Sequence, residues 1–394
     1  MEQYVLKNQK QLRKGITTGT CGAAAAKAAA ALLLLGIKKE SVPVHTPGGM
    51  DVNVPVLLHF QGEHKAEFMV IKDSGDDPDV TNHAEVFAAV EMLSGKQKIP
   101  ESAFWEEDFP NLYLDGGEGI GRVTKKGLEQ EIGQAAINRV PRTMIFQAVR
   151  EICDLAEYEG RLMITVSVPA GKELAARTFN PRLGIAGGIS ILGTTGILEP
   201  MSEKAIVDTI EAQIRQLSAQ GVKHLLVTPG NYGRGYVSDY LHMDMEDSVK
   251  CSNYIGETLD LAVSYRMEAL LLVGNLGKLV KLGAGIMNTH SKVADGRCEI
   301  LAVHTVLCGG SSKMAEKIMG CINTEEILAL LTKWNLKEAV IKSLCKKIKE
   351  HVTGRTGDRI KVGIMLFSEH YGFLGQTEGT EEVLRLYQKE GEQP

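Results

Sequence analysis

Two hydrophobic rhythms divide this chain, and together they restrict it to a mixed α and β architecture. From Val42 to Ile71 apolar and polar residues alternate, in VPVHTPGGMDVNVPVLLHF and then KAEFMVIKD, with Gly48 and Gly49 where a hairpin would reverse. A period of two is the mark of antiparallel sheet with one face turned outward. After Gly160 the pattern becomes apolar strands separated by helices: RLMITVSVPAG (161–171), GGISILG (187–193), VKHLLVTPG (222–230), MEALLLVGN (267–275) and RIKVGIMLFS (359–368). SEKAIVDTIEAQIRQLSAQG (202–221) places Ile206, Ile210, Ile214 and Leu217 on one helical face, with Ser202 as the expected cap. Apolar strands joined by helices imply a parallel sheet covered on both faces.

The expected fold is therefore α/β plus α+β. An N-terminal α+β lobe with antiparallel sheet is predicted over 1–150, followed by a Rossmann-like α/β lobe with mostly parallel sheet and a helical C-terminal part over 151–394. The length of 394 residues agrees, because domains average about 150 residues. In the first lobe KGITTGTCGAAAAKAAAALLLLGI reads as a helix opened by Thr17, Thr18 and Thr20 and stopped by Gly36. Its apolar run, Ala23 to Leu35, is shorter than the roughly 20 residues of a membrane span and is interrupted by Lys27, so a buried helix is expected. HAEVFAAVEML (83–93) reads as helix, and NLYLDGGEGIGRVT (111–124) as a strand entering a glycine-rich loop.

Charge and cysteine usage exclude several classes. The formal charge of -5, with both signs mixed throughout, offers no cationic field for nucleic acid or an anionic membrane. Seven scattered cysteines without a C-x-x-C spacing argue against a disulfide framework or zinc ribbon and for a reducing, cytoplasmic location.

The chemistry must then be sought in the glycines, which number 42. Many gather in DGGEGIGRV (115–123), LGIAGGISILGTTGILEP (183–200), TPGNYGRGY (228–236) and VGNLGKLVKLGAGIMNTHS (273–291). Open α/β sheets bind ligands at the carboxyl ends of their strands, where glycine lets backbone amides approach; the competing reading of any one turn is simple chain reversal. No segment satisfies G-x-G-x-x-G or the P-loop pattern, and neither H-E-x-x-H nor G-x-S-x-G occurs. Cys298, His304 and Cys308 are spread over about 15 Å of one helix, too far for a single ion, so small thiols packed in a core are the expectation. The cluster Asp73, Asp76, Asp77 and Asp79 has oxygen ligands for a hard cation but not the EF-hand spacing, and reads first as a solvated turn. His290, just past a glycine loop, is balanced between a site residue and a capped turn.

Taken together, KGITTGTCGAAAAKAA (14–29), DPDVTNHAE (77–85), GGEGIGRVTKKGL (116–128), NPRLGIAGGISILGTTGILEPMSE (180–203), TPGNYG (228–233) and GNLGKLVKLGAGIMNTHS (274–291) resemble the CbiD family, the cobalt-precorrin-5B C1-methyltransferases of the oxygen-independent cobalamin pathway. The resemblance spans most of residues 10–310. It implies S-adenosylmethionine as methyl donor, a small-molecule corrinoid as acceptor, and cobalt that belongs to the substrate, with no protein-bound metal, nucleic acid or membrane partner; it leaves a homo-oligomer open. Within that reading the donor falls to Thr228, Gly230, Asn231, Gly274, Asn275, Gly277 and Thr195. The macrocycle's carboxylates fall to Thr17, Thr18, Thr20, Arg122, Arg182, Lys278 and Lys281. His290 and Glu199 are the candidates for handling the proton lost after methylation. Two other readings stay open: a non-catalytic carrier of corrinoid intermediates, and another α/β transferase for a nucleotide-like ligand.

Overall fold

In a computed structural model the described residues are 4–7, 9–95, 97–178, 180, 181, 183–241, 243 and 247–390, with backbone alone at 231, 232, 234 and 388–390. They fall into a mixed α/β arrangement of several sheets, some parallel, in two units, Met1–Ser202 and Glu203–Pro394.

The first unit is organised around helix α1 (Thr18–Leu35). Thr17 caps it, its Oγ1 accepting the Thr20 N–H, and Gly36 ends it in the left-handed region at φ 69°. This helix is long and apolar enough to cross a membrane by length and composition, yet most of it is enclosed by the unit itself. Ala23–Ala26 and Ala28–Ala31 are at most 2% exposed, which only small side chains packed on every side can achieve. A five-stranded sheet lies against it: β1 (Leu57–Gln61), β2 (Lys65–Ile71), β3 (Glu85–Leu93), β4 (Leu112–Gly116) and, after helix α2 (Arg139–Leu155), β5 (Arg161–Ser167). The order is β1-β2-β3-β5-β4, antiparallel except for the parallel β5–β4 pair. Ser41–His45 and Asp51–Pro55 form the expected hairpin around Gly48 and Gly49.

Two expectations are corrected here. Residues 83–93, read as helix, contain the strand β3, paired with β2 on one side and β5 on the other. Ala, Glu, Met and Leu favour a helix locally, but a central position supplies backbone partners on both edges, and tertiary context overrides propensity. The unit boundary lies at Ser202 rather than near residue 150. RLMITVS is no strand of a second lobe, because all seven of its residues pair with β3. GGISILG forms only isolated bridges, from Ile189 to Ile120 and from Ile191 to Ile137.

The second unit carries the parallel sheet. Helix α3 (Glu203–Ala219) precedes β6 (His224–Thr228), α4 (Asn231–Tyr236), β7 (Val249–Lys250), α5 (Ile255–Ser264) and β8 (Ala269–Asn275). Helices α6 (Arg297–Leu307), α7 (Ser312–Met319), α8 (Thr324–Lys333) and α9 (Lys337–Thr356) follow, then β9 (Lys361–Ser368), β10 (Gly372–Gln376) and α10 (Thr380–Glu390). The order is β7-β6-β8-β9-β10, parallel up to the antiparallel edge strand β10. Leu270 and Leu272 of β8 pack with Ile210, Ile214 and Leu259, while Leu271 and Val273 pack with Val383. Both faces are covered, which is why the strand reads as an unbroken apolar run.

Candidate functional site

The parallel sheet sets the geometry of the best-formed site. Strands β6 and β8 are neighbours in register from His224–Ala269 to Val227–Leu272, so the turns that follow them leave the same edge of the sheet. Thr228, at the end of β6, is fully buried, and its Oγ1 has no hydrogen-bond partner among the described residues. A buried hydroxyl without a partner costs free energy that a bound polar group would recover. Gly230, next along, opens onto free space: a Cβ there would meet nothing within 4 Å.

Lys278 reaches across from the turn after β8 and donates from Nζ to the Pro229 carbonyl at 3.2 Å. Burial pushes its ammonium below the ordinary range, Cys251 opposing that shift and Lys250 and Lys281 adding to it. No carboxylate neutralises it among the described residues. The β8 turn is otherwise closed by its own contacts. Asn275 Oδ1 caps the Gly277 N–H at 2.7 Å, so that amide is already satisfied by the protein. A Cβ on Gly274 would lie 2.9 Å from Leu279 Cδ1, and one on Gly277 would meet Asn275 Oδ1 at 3.1 Å. These two glycines give clearance to the protein's own atoms, contrary to the expectation that Gly277 makes room for a ligand. Asn231 has its backbone in α4; its side chain lies outside the described residues, as does the whole of Arg182.

Two of the cations read as substrate contacts are committed elsewhere. Arg122 holds Asp115 through both nitrogens, at 2.6 and 3.2 Å, and the Gly116 carbonyl at 2.6 Å. Lys281, 2% exposed, spends its ammonium on the carbonyls of Thr289 at 3.0 Å and Ala294 at 2.8 Å. His290 is exposed and belongs to a capped turn, its N–H bound to Asn288 Oδ1 and its Nδ1 accepting from the Lys292 N–H.

In the first unit the two threonine motifs pack on each other. Thr17 N–H and Thr20 Oγ1 both bond the Gly196 carbonyl, and Thr195 bonds Ile197 through its hydroxyl and Gly48 through its carbonyl. Thr195 thus belongs to the first unit. Thr18, in the first turn of α1, is 8% exposed with a hydroxyl unpartnered among the described residues. Glu199 pairs with Lys7 at 2.9 Å. Gly119 in the first turn likewise serves the chain: a Cβ on it would lie 1.8 Å from the Val168 carbonyl oxygen.

Sequence reasoning missed Lys72, which stands directly before the acidic cluster. It is 1% exposed and donates to Ser74 Oγ, Thr81 Oγ1 and the Asp79 carboxylate. Asp73 binds Arg13 at 2.6 and 2.7 Å, and Asp76 accepts the Arg13 N–H, so the cluster's cations are side chains of the protein. Among the described residues no group of His, Cys, Asp or Glu is placed to hold a metal ion. Cys298 and Cys308 pack against the second unit's core, and His304 bonds Ser343 Oγ at 2.8 Å.

With the geometry in place, comparison with known proteins is decisive. A family model described as CbiD matches residues 5–200, and one described as the CbiD C-terminal domain matches 288–378. A cobalt-precorrin-5B C(1)-methyltransferase from Ruminiclostridium cellulolyticum is 44% identical over 369 residues, covering 94% of this chain and 92% of its own. The chain belongs to the CbiD family. Another relative curated under the same activity, from Alkaliphilus metalliredigens, is 39% identical over 392 residues and covers 99% of both chains. A crystal structure described as cobalamin biosynthesis protein (cbiD) from Archaeoglobus fulgidus aligns at 29% identity and TM-score 0.39, over 75% of this chain and 88% of that one. The two CbiD models leave 201–287 between them, the stretch with Thr228, Gly230 and Lys278. The Alkaliphilus CbiD relative aligns along nearly the entire chain.

Proposed function

We propose that this chain transfers the methyl group of S-adenosylmethionine to C1 of cobalt-precorrin-5B, giving cobalt-precorrin-6A and S-adenosylhomocysteine on the oxygen-independent route to cobalamin. The observation that carries the reading is the 44% identity, over 94% of the chain, to a relative curated under that activity.

The residues fit the chemistry such a transfer needs. The donor supplies an electrophilic methyl on a sulfonium, and the protein's part is alignment and exclusion of water, where orientation contributes roughly 7–11 kcal/mol in favourable systems. That requires no protein nucleophile and no protein metal; cobalt arrives with the substrate. The β6–β8 edge offers the donor an open turn at Gly230, an orphan hydroxyl at Thr228 and the ammonium of Lys278. Asn275 stands where many related folds carry an acid for the ribose; its Oδ1 already accepts from the Gly277 N–H, which leaves its second lone pair and its amide N–H groups. For the macrocycle's carboxylates the first unit offers Thr18 and the first turn of α1, each helix-end charge contact contributing about 0.3–1 kcal/mol.

Both proton-acceptor candidates are engaged: Glu199 pairs with Lys7 at 2.9 Å, and His290 accepts at Nδ1. With Nδ1 accepting from Lys292, neutral His290 carries its hydrogen on Nε2 and presents a donor there rather than a base. Seven free thiols, four of them buried, fit a reducing cytoplasmic compartment. The test is incubation with methyl-labelled S-adenosylmethionine and cobalt-precorrin-5B. Label at C1 is expected, and corrinoid binding without any labelled product would replace the enzyme with a carrier.

A further inference from the structure

We propose that Lys278 is the anchor for the donor's amino-acid carboxylate, and so belongs to the donor site rather than to the macrocycle. The inference rests on the donor reading above and adds which end of the donor is held, and by what.

Three observations converge on it. Lys278 sits in the turn after β8 but its Nζ bonds the carbonyl of Pro229, one residue beyond β6, so the ammonium bridges the ends of two adjacent parallel strands. Its contact with Pro229 uses one of three N–H donors, and no carboxylate pairs with it among the described residues. Flanking Pro229 in the chain are the orphan Thr228 hydroxyl and the open turn at Gly230. A half-buried cation that lacks a counter-ion and is repelled by Lys250 and Lys281 is stabilised by an arriving anion. The ligand chemistry that suits this edge is a carboxylate beside an uncharged polar group, since a single ammonium with one hydroxyl matches one carboxylate.

The neighbouring cations do not compete for this role. Lys281 spends its ammonium on the Thr289 and Ala294 carbonyls, and Arg122 is locked to Asp115. Among the described cations of the candidate set, Lys278 is the one with a single hydrogen bond at its ammonium, against two for Lys281 and an ion pair for Arg122. It is a specificity residue and makes no bond to a reacting atom.

The test compares S-adenosylhomocysteine with 5′-methylthioadenosine, which keeps the nucleoside and thioether but lacks the carboxylate, by titration calorimetry on the full chain. The unmodified protein should prefer S-adenosylhomocysteine by at least about tenfold. Lys278→Met should abolish most of that preference while binding 5′-methylthioadenosine as before, and Lys278→Arg should recover part of it. An unchanged far-ultraviolet circular dichroism spectrum identifies the variants as folded, and the 5′-methylthioadenosine arm reports the integrity of the site independently. If Lys278→Met keeps the full preference, the anchor is elsewhere and this inference falls while the donor reading stands. If the unmodified protein binds neither nucleoside, the donor reading falls and takes the inference with it.

Discussion

Each unit buries a lysine, and the two are held by opposite means. Lys72 in the first unit faces an anion, Asp79, and two hydroxyls. Lys281 in the second unit is bonded only to two backbone carbonyls among the described residues, and burial pushes its ammonium below the ordinary range, with nearby Asp295 opposing that shift and Arg297 adding to it. The first arrangement neutralises the charge where it is buried. The second satisfies hydrogen bonds but leaves a positive field, and Lys281 is one of the charges that disfavour the ammonium of Lys278. The difference teaches that the second unit accumulates positive charge near the β6–β8 edge, where an anionic ligand is proposed, while the first unit cancels its own.

The largest effect should come from breaking the neutral pair. Lys72→Met leaves a partly buried carboxylate without its counter-ion and should cost about 3–5 kcal/mol, read from the urea denaturation midpoint. Adding Asp79→Asn should restore part of that loss, because the uncompensated charge is what makes the single change expensive. A double variant no better than the single one would mean that packing, not charge, holds Lys72 in place.

Lys281→Met should cost less. It removes no counter-ion, and strands only the Thr289 and Ala294 carbonyls, for about 1–3 kcal/mol. The damage should be local, seen as faster amide hydrogen exchange around 289–294 with the β8 core unaffected. A loss equal to that of Lys72→Met would erase the distinction between the two lysines.

The same contrast explains what was legible in the sequence. HLLVT and ALLLVGN are unbroken apolar runs because a parallel strand is covered on both faces, and they are β6 and β8. RLMITVS was grouped with them, yet Leu162, Ile164 and Val166 are buried while Arg161, Met163, Thr165 and Ser167 are less so. That alternation was present in the sequence and marks β5 as a strand of the first unit's mainly antiparallel sheet. EVFAAVEML carried no such signal: its central residues Ala88, Ala89 and Val90 are all buried, so periodicity vanished and helix propensity took its place. At the candidate site, Thr228 and Gly230 were legible as a turn after a strand. The commitments of Arg122 and Lys281 were not, because their partners are carbonyls and a carboxylate whose positions only the fold determines. Lys72 was hidden for a related reason: the acids beside it read first as a solvated turn, and nothing in the spacing says that a buried lysine pairs with them.

The smallest expected effect is a pH dependence of opposite sense at the two sites. Burial alone would raise the Asp79 carboxyl, but the charge of Lys72 and hydrogen bonds from Lys72 and Thr81 outweigh it, and the group sits below its ordinary value of 3.8. A depressed carboxyl contributes stability above the unfolded value, and loses it as the pH falls through the folded one. The stability gap between the unmodified protein and Lys72→Met should therefore close on acidification below about pH 4. Lys281 behaves in the other direction. Its folded value lies below the ordinary 10.5, so the buried charge burdens the fold in full at neutral pH. As the pH rises through the folded value, the native state sheds that proton before the unfolded chain does, and stability is gained. The gap to Lys281→Met should then widen between neutral pH and pH 10, measured as the shift of the urea midpoint for both proteins in matched buffers. A gap that stays flat on the alkaline side, while the acid-side gap closes, would show that the carbonyl cage of Lys281 compensates its charge as fully as Asp79 compensates Lys72.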